Sequence, residues 1–96
     1  GATEVPLDIM RTAAACVEHA DFLARSGSRM ARSDAGVSVA FARAAVDGAS
    51  LNVYINAASI DDAERAARYR DEADRLVAQT REHCDAVFAF VKDAVS

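Results

Sequence analysis

Tryptophan is absent from this 96-residue chain, and proline occurs once, at Pro6. With alanine making up much of the 52% hydrophobic fraction, the apolar area per residue is lower than that percentage suggests, and small residues favour closely packed helices. Basic charge is also scarce. Eleven Lys and Arg face fifteen Asp and Glu, giving a net charge of -4 and a pI near 5.0. That balance excludes a general nucleic-acid or anionic-membrane binder, which needs a basic surface. The only cysteines, Cys16 and Cys84, lie inside helical patterns, and no secretory leader pattern opens the chain, so a cytoplasmic location is expected. No apolar run is long and charge-free enough for a membrane span, because Arg43, Asp47, Asn52 and Asn56 interrupt the best stretch. There is no phosphate loop, dinucleotide fingerprint or nucleophile elbow. The chain opens on Gly1, as expected after removal of a tag or for a piece of something longer.

What is present reads as one all-α unit, residues 1–96, of three helices separated by two short breaks. From Val5 to about Arg25, Leu7, Met10, Ala14 and Val17 recur at helical spacing, with Ile9, Ala13, Cys16 and Leu23 widening the stripe and Pro6 harmless in the first turn. Ser26-Gly27-Ser28 is expected to end this helix with Gly27 in the left-handed cap position. Ser33 is expected to cap a second helix running to about Ala58, with Asp34 favourably placed at its positive end. Within it Gly36, Ala40, Ala44 and Gly48 form a ridge of small residues leading to Asn52 and Asn56. Ser59-Ile60-Asp61-Asp62 has capping-box spacing, which starts a third helix near Asp61. On that helix the pairs Asp61/Arg65, Glu64/Arg68 and Asp71/Arg75 read as a solvated face, backed by a seam of Ala66, Ala73, Val77, Thr80, Cys84, Val87, Val91 and Ala94.

A third helix about 50 Å long does not fit a compact chain of this length, whose radius of gyration is roughly 12 Å. The second helix is apolar almost all round, and two amphipathic neighbours cannot cover it. The three helices are therefore expected to be part of a multihelical bundle completed by a dimer or by a partner segment.

The stretch from Ser33 to Ile60 holds only Asp34, Arg43 and Asp47 as ionisable groups, so its polar side chains stand out. Asp34 reads either as a helix-start acid or as a carboxylate that relays a proton or grips a ligand. Asn52 and Asn56 either bond to neighbouring helices or present a donor and acceptor face to a planar heterocycle. Arg25, Arg29 and Arg32 flank the first break, as a solvated loop or as a basic rim for a carboxylate. Tyr54 is a minor candidate. Cys16, His19, His83 and Cys84 lack the spacing of a zinc site, and no metal is expected.

Val5-Pro6-Leu7 opening a helix, Ser33-Asp34-Ala35-Gly36-Val37, then Gly48-Ala49-Ser50-Leu51-Asn52-Val53-Tyr54-Ile55-Asn56 and a long charged helix resemble the formiminotransferase-cyclodeaminase and methenyltetrahydrofolate cyclohydrolase family. The resemblance implies an all-helical domain that dimerises and acts on a tetrahydrofolate derivative, either releasing ammonia from the 5-formimino form or hydrating the 5,10-methenyl form. Asp34 suits the role of acid or base there and Asn52 and Asn56 that of substrate contacts, with Ser33, Arg29 and Tyr54 as the further candidate substrate contacts. Family domains are about twice this length, so the chain resembles their C-terminal half and is expected to act as an enzyme only with the missing half, supplied by the same or a separate chain. The alternative is a non-catalytic dimerisation or scaffold module of the same fold.

Overall fold

The computed structural model describes residues 3–96; Gly1, at the expected tag or cleavage boundary, lies outside them. Three antiparallel helices follow one another in sequence: α1 (Glu4–Ser26), α2 (Arg29–Ala58) and α3 (Ala63–Val95). The molecule is a rod of 50 × 18 × 16 Å with a radius of gyration of 15.2 Å, larger than a compact chain of this length would have, because α3 sets its length.

The α1–α2 turn departs from expectation in two ways. Gly27 does not adopt the left-handed conformation; it is extended, at φ −88° and ψ 175°, with its N–H donating to the Leu23 carbonyl at 2.8 Å. Glycine is needed there for space, since a Cβ would come within 2.6 Å of the Leu23 oxygen and 2.8 Å of the Ala31 Cβ. Ser28, not Ser33, caps α2, its Oγ accepting from the Ala31 N–H at 3.2 Å. The helix therefore starts five residues earlier than expected, and Ser33 and Asp34 lie in its second turn. At α3 the cap is Asp62, whose Oδ1 accepts from Glu64 and Arg65 N–H groups at 3.1 and 3.2 Å; Ser59 takes no part in it.

The core divides into two clusters along the rod. Near the α1–α2 turn, Val17, Ala24, Ala35, Val39, Cys84, Val87 and Val91 pack together. Towards the other end Leu7, Met10, Val46, Val53 and Ala73 do so. The expected α3 seam is buried at Ala66, Ala73, Thr80, Cys84, Val87 and Val91, but Val77 is only half-buried and Ala94 is exposed. Ion pairs of α3 run across the bundle instead of along it: Arg11 grips Glu72 with two bonds of 2.7 Å, Arg43 pairs with Asp85, and Arg81 donates to Asp47 at 3.1 Å.

At Gly36 the α3 side chain of Val91 packs directly on α2, and an added Cβ would lie 3.0 Å from Val91 Cγ1. Gly36→Val is expected to destabilise the fold by about 1–3 kcal/mol through overpacking. Chemical denaturation checks this, and Val91→Ala in the same chain should restore part of the loss; an unchanged midpoint would refute the close approach.

Candidate substrate site on the outer face of α2

One side of α2 is buried through Ala35, Val39, Val46, Val53 and Ala57. The charges in its middle are turned to α3, where Arg43 bonds Asp85 and Asp47 accepts from Arg81. The opposite side faces outward and is apolar: Met30, Val37, Phe41, Leu51 and Ile55 are 53% to 77% exposed. The expectation that α2 exceeds what two neighbours can cover is met in this form.

The candidate polar residues divide between the two ends of that face. At the N-terminal end Arg29, Met30, Ser33, Asp34 and Val95 line an open depression of about 660 Å³. Arg29 is held there by its Nη2 bond of 2.6 Å to the Val95 carbonyl. At the C-terminal end Asn52 and Asn56 line a groove of about 420 Å³ with Val5, Pro6 and Ile9 of α1 and Ala45 and Ala49 of α2. Eighteen residues of continuous helix separate Asp34 from Asn52, a rise of about 27 Å. A single copy does not bring the expected catalytic carboxylate to the expected amides.

Tyr54 is not with them. Its hydroxyl bonds the Asp74 carboxylate on α3, and that bond, with burial second, pushes the phenol up to about 12. It is a link between α2 and α3. Nor do the three arginines of the first break act together as a rim. Arg25 donates to Asp21 at 2.6 Å and stacks 4.6 Å above the Phe90 ring, while among the described residues the Arg32 Nε is buried without a hydrogen-bond partner. The groove-lining Val5 and Ile9 were legible only as part of an amphipathic stripe; their exposure beside Asn52 marks them as site residues.

Cys84 lies in the core, where burial pushes its thiol up, while Cys16 is exposed. His83 is spent on Asp21, Nε2 to Oδ2 at 2.9 Å, joining α3 to α1. No trio of metal-ligating side chains gathers among the described residues, and no helix is long and apolar enough to cross a membrane. The bonds from His83, and then from Arg25, hold the Asp21 carboxyl below its ordinary value. A carboxyl lowered in the folded state contributes stability above its unfolded pKa, near 3.9, and loses it as pH falls through the folded value. Asp21→Asn is thus expected to cost about 1 kcal/mol at neutral pH and to flatten the acid limb of the stability curve below about pH 4. Thermal melts from pH 2 to 7 measure both; an unaltered acid limb would remove Asp21 from the account.

Residues 1–75 match the family model described as formiminotransferase-cyclodeaminase. The chain belongs to that family. It is also 35% identical over 95 residues to the methenyltetrahydrofolate cyclohydrolase of Methylorubrum extorquens, a match that takes in 99% of this chain and 46% of that protein. The chain thus spans about half the length of the curated relative it matches. The α1–α2 groove and the Asp34 depression are two of the places where the described residues set polar groups among apolar ones.

Proposed function

We propose that the chain is part of a folate-dependent cyclodeaminase or cyclohydrolase acting on 5-formimino- or 5,10-methenyltetrahydrofolate. The observation that carries this reading is the groove between α1 and α2, where Asn52 and Asn56 stand among apolar side chains in a member of this family. Pockets of that kind hold planar ligands by apolar contact and fix their orientation by a few polar groups. The amides supply both donors and acceptors, as a reduced pterin ring requires.

Both reactions centre on an amidinium-like carbon. In hydration a water oxygen bonds to the methenyl carbon, one C–N bond opens to leave the formyl group on the other nitrogen, and a proton is released; Asp34 accepts that proton as general base. In cyclodeamination the second substrate nitrogen attacks the formimino carbon, its own N–H proton passes through Asp34 to the formimino nitrogen, and with one further proton from water the C–N bond to that nitrogen breaks and ammonia departs. Arg29, anchored on the Val95 carbonyl, offers a cation beside Asp34 for a substrate carboxylate.

The test is to incubate the protein, alone and with the remaining part of a family domain, with 5,10-methenyltetrahydrofolate while following loss of its chromophore, and with 5-formiminotetrahydrofolate while assaying ammonia. Turnover of either supports the reading. Failure to turn over or bind both would leave the scaffold module as the better description.

A further inference from the structure

Side-chain links close the seam between α1 and α3 at intervals along the rod. The Tyr69 hydroxyl donates to Glu4 at 2.8 Å, Arg11 holds Glu72 with two bonds of 2.7 Å, His83 meets Asp21 at 2.9 Å, and Arg25 stacks 4.6 Å above the Phe90 ring. Between Glu72 and His83, about three turns of α3, no such link joins the two helices among the described residues. In that interval lies a cavity of about 120 Å³, walled by Ala14, Val17 and Glu18 of α1 and by Gln79, Thr80 and His83 of α3. Thr80 is only 3% exposed, and its hydroxyl has no hydrogen-bond partner among the described residues. Buried hydroxyls are ordinarily bonded, and a helical threonine can use the carbonyl three or four residues back; Thr80 does not.

The polar groups around this cavity share one property: each can accept a hydrogen bond. Glu18 brings a carboxylate, Gln79 an amide oxygen and Thr80 a hydroxyl. His83 joins them by elimination. A carboxylate only accepts, so Nε2 must donate to Asp21, and in the uncharged ring Nδ1 is left as an acceptor. The charge of Asp21 is met by Arg25 at 2.6 Å, which leaves Glu18 as the net charge at the cavity. The volume equals about four waters at ~30 Å³ each.

We propose that the α1–α3 seam holds a binding site for a small ammonium-type cation, ammonium itself or a short primary alkylammonium, with Glu18 at the mouth supplying the charge and Thr80, Gln79 and His83 accepting its N–H groups. The Thr80 hydroxyl meets the ligand by a χ1 step between the two rotamers open to a helical threonine. Ala14 and Val17 form the apolar side against which a methyl group packs. A nitrogen acceptor in the wall favours an N–H donor over a bare hard cation, whose ligands are oxygens. Among the described residues no three His, Cys, Asp or Glu side chains gather as a metal site would require. Bound here, the cation supplies the tie between α1 and α3 in the interval that the chain's own links skip. The cavity is lined by α1 and α3 alone, so the site is separate from the outward side of α2 and does not rest on the reading under Proposed function.

The test titrates the full chain with methylammonium chloride at constant total chloride, potassium chloride making up the balance, while amide and histidine-ring NMR signals and the thermal midpoint are followed. A ligand of two heavy atoms is limited to a Kd of the order of 10 mM. The expected result is a set of saturable shifts confined to residues 14–18 and 79–83, the His83 ring included, with a midpoint that rises as the site fills. Tetramethylammonium, of equal charge but without N–H groups, is expected to produce neither. Glu18→Gln, a change on an exposed side chain, is expected to weaken methylammonium binding about tenfold or more. Thr80→Val removes a hydroxyl that has no protein partner, so it is expected to keep or raise the midpoint without ligand while still weakening binding. Equal responses to methylammonium and tetramethylammonium mark a salt effect and overturn the site. So does the lack of any saturable shift up to about 100 mM, ten times the expected Kd, or binding left unchanged in both variants. Loss of methylammonium binding when the remaining part of a family domain is added overturns a site for a free ligand.

Discussion

Asp34→Asn is expected to lower turnover of the methenyl or formimino substrate by roughly 10²–10⁴-fold, the contribution of a positioned general acid or base. The substitution keeps the shape of the side chain and removes only its proton affinity. Asp34 is exposed in the second turn of α2 and is not the helix cap, a role taken by Ser28. Loss of activity should therefore come without loss of helix content or of melting temperature. The measurements are kcat, KM and thermal midpoint on the same preparations. A fall in kcat with both other quantities steady identifies a group that acts on the reacting atoms. A parallel fall in the midpoint would show instead that Asp34 supports the fold.

Leu7→Ala is expected to have the largest effect on stability. Leu7 is completely buried and packs with Met10, Val46, Val53 and Ala73 in the cluster distant from the α1–α2 turn. Leucine-to-alanine changes at such sites cost about 2–5 kcal/mol, the spread reflecting how far neighbours close the cavity. Neighbours here are mainly valine and alanine on fixed helices, which reach poorly into a void. A domain of this size holds about 5–15 kcal/mol in total, so the variant should be partly unfolded at 37 °C. Its midpoint should fall by more than 10 °C, at roughly 4–8 °C per kcal/mol. Circular dichroism melts and urea titration decide it. A loss below 1 kcal/mol would mean that the α1 N-terminal half is not docked as described.

The helices and much of the core were legible in the sequence because their physical signal is strong. Apolar residues at spacings of three and four produced α1, and α2 ends at Ala58 as expected. The turn was misread because two serines, Ser28 and Ser33, each have the chemistry of a cap. Ser28 follows directly on Gly27, where a Cβ would crowd Leu23 and Ala31, a local backbone geometry that cap chemistry alone does not contain. The partner of Tyr54 was hidden for a related reason: Asp74 is on another helix, and only the bundle geometry brings them together. The candidate site was half legible. Residue types and an uncharged stripe pointed to α2, but the distance between Asp34 and the amides follows from the helix being unbroken from Arg29 to Ala58.

The two-part core has a dynamic consequence. Each cluster draws on all three helices at one end of the rod, and each helix passes through both clusters. Helical hydrogen bonds tie the ends together only along the chain axis, and alanine-rich contacts between clusters add little burial. Such an arrangement opens locally at either end before it opens globally. The depression beside Asp34 borders one cooperative unit and the groove beside Asn52 and Asn56 borders the other. The two halves of the recognition surface can therefore loosen and tighten on separate clocks.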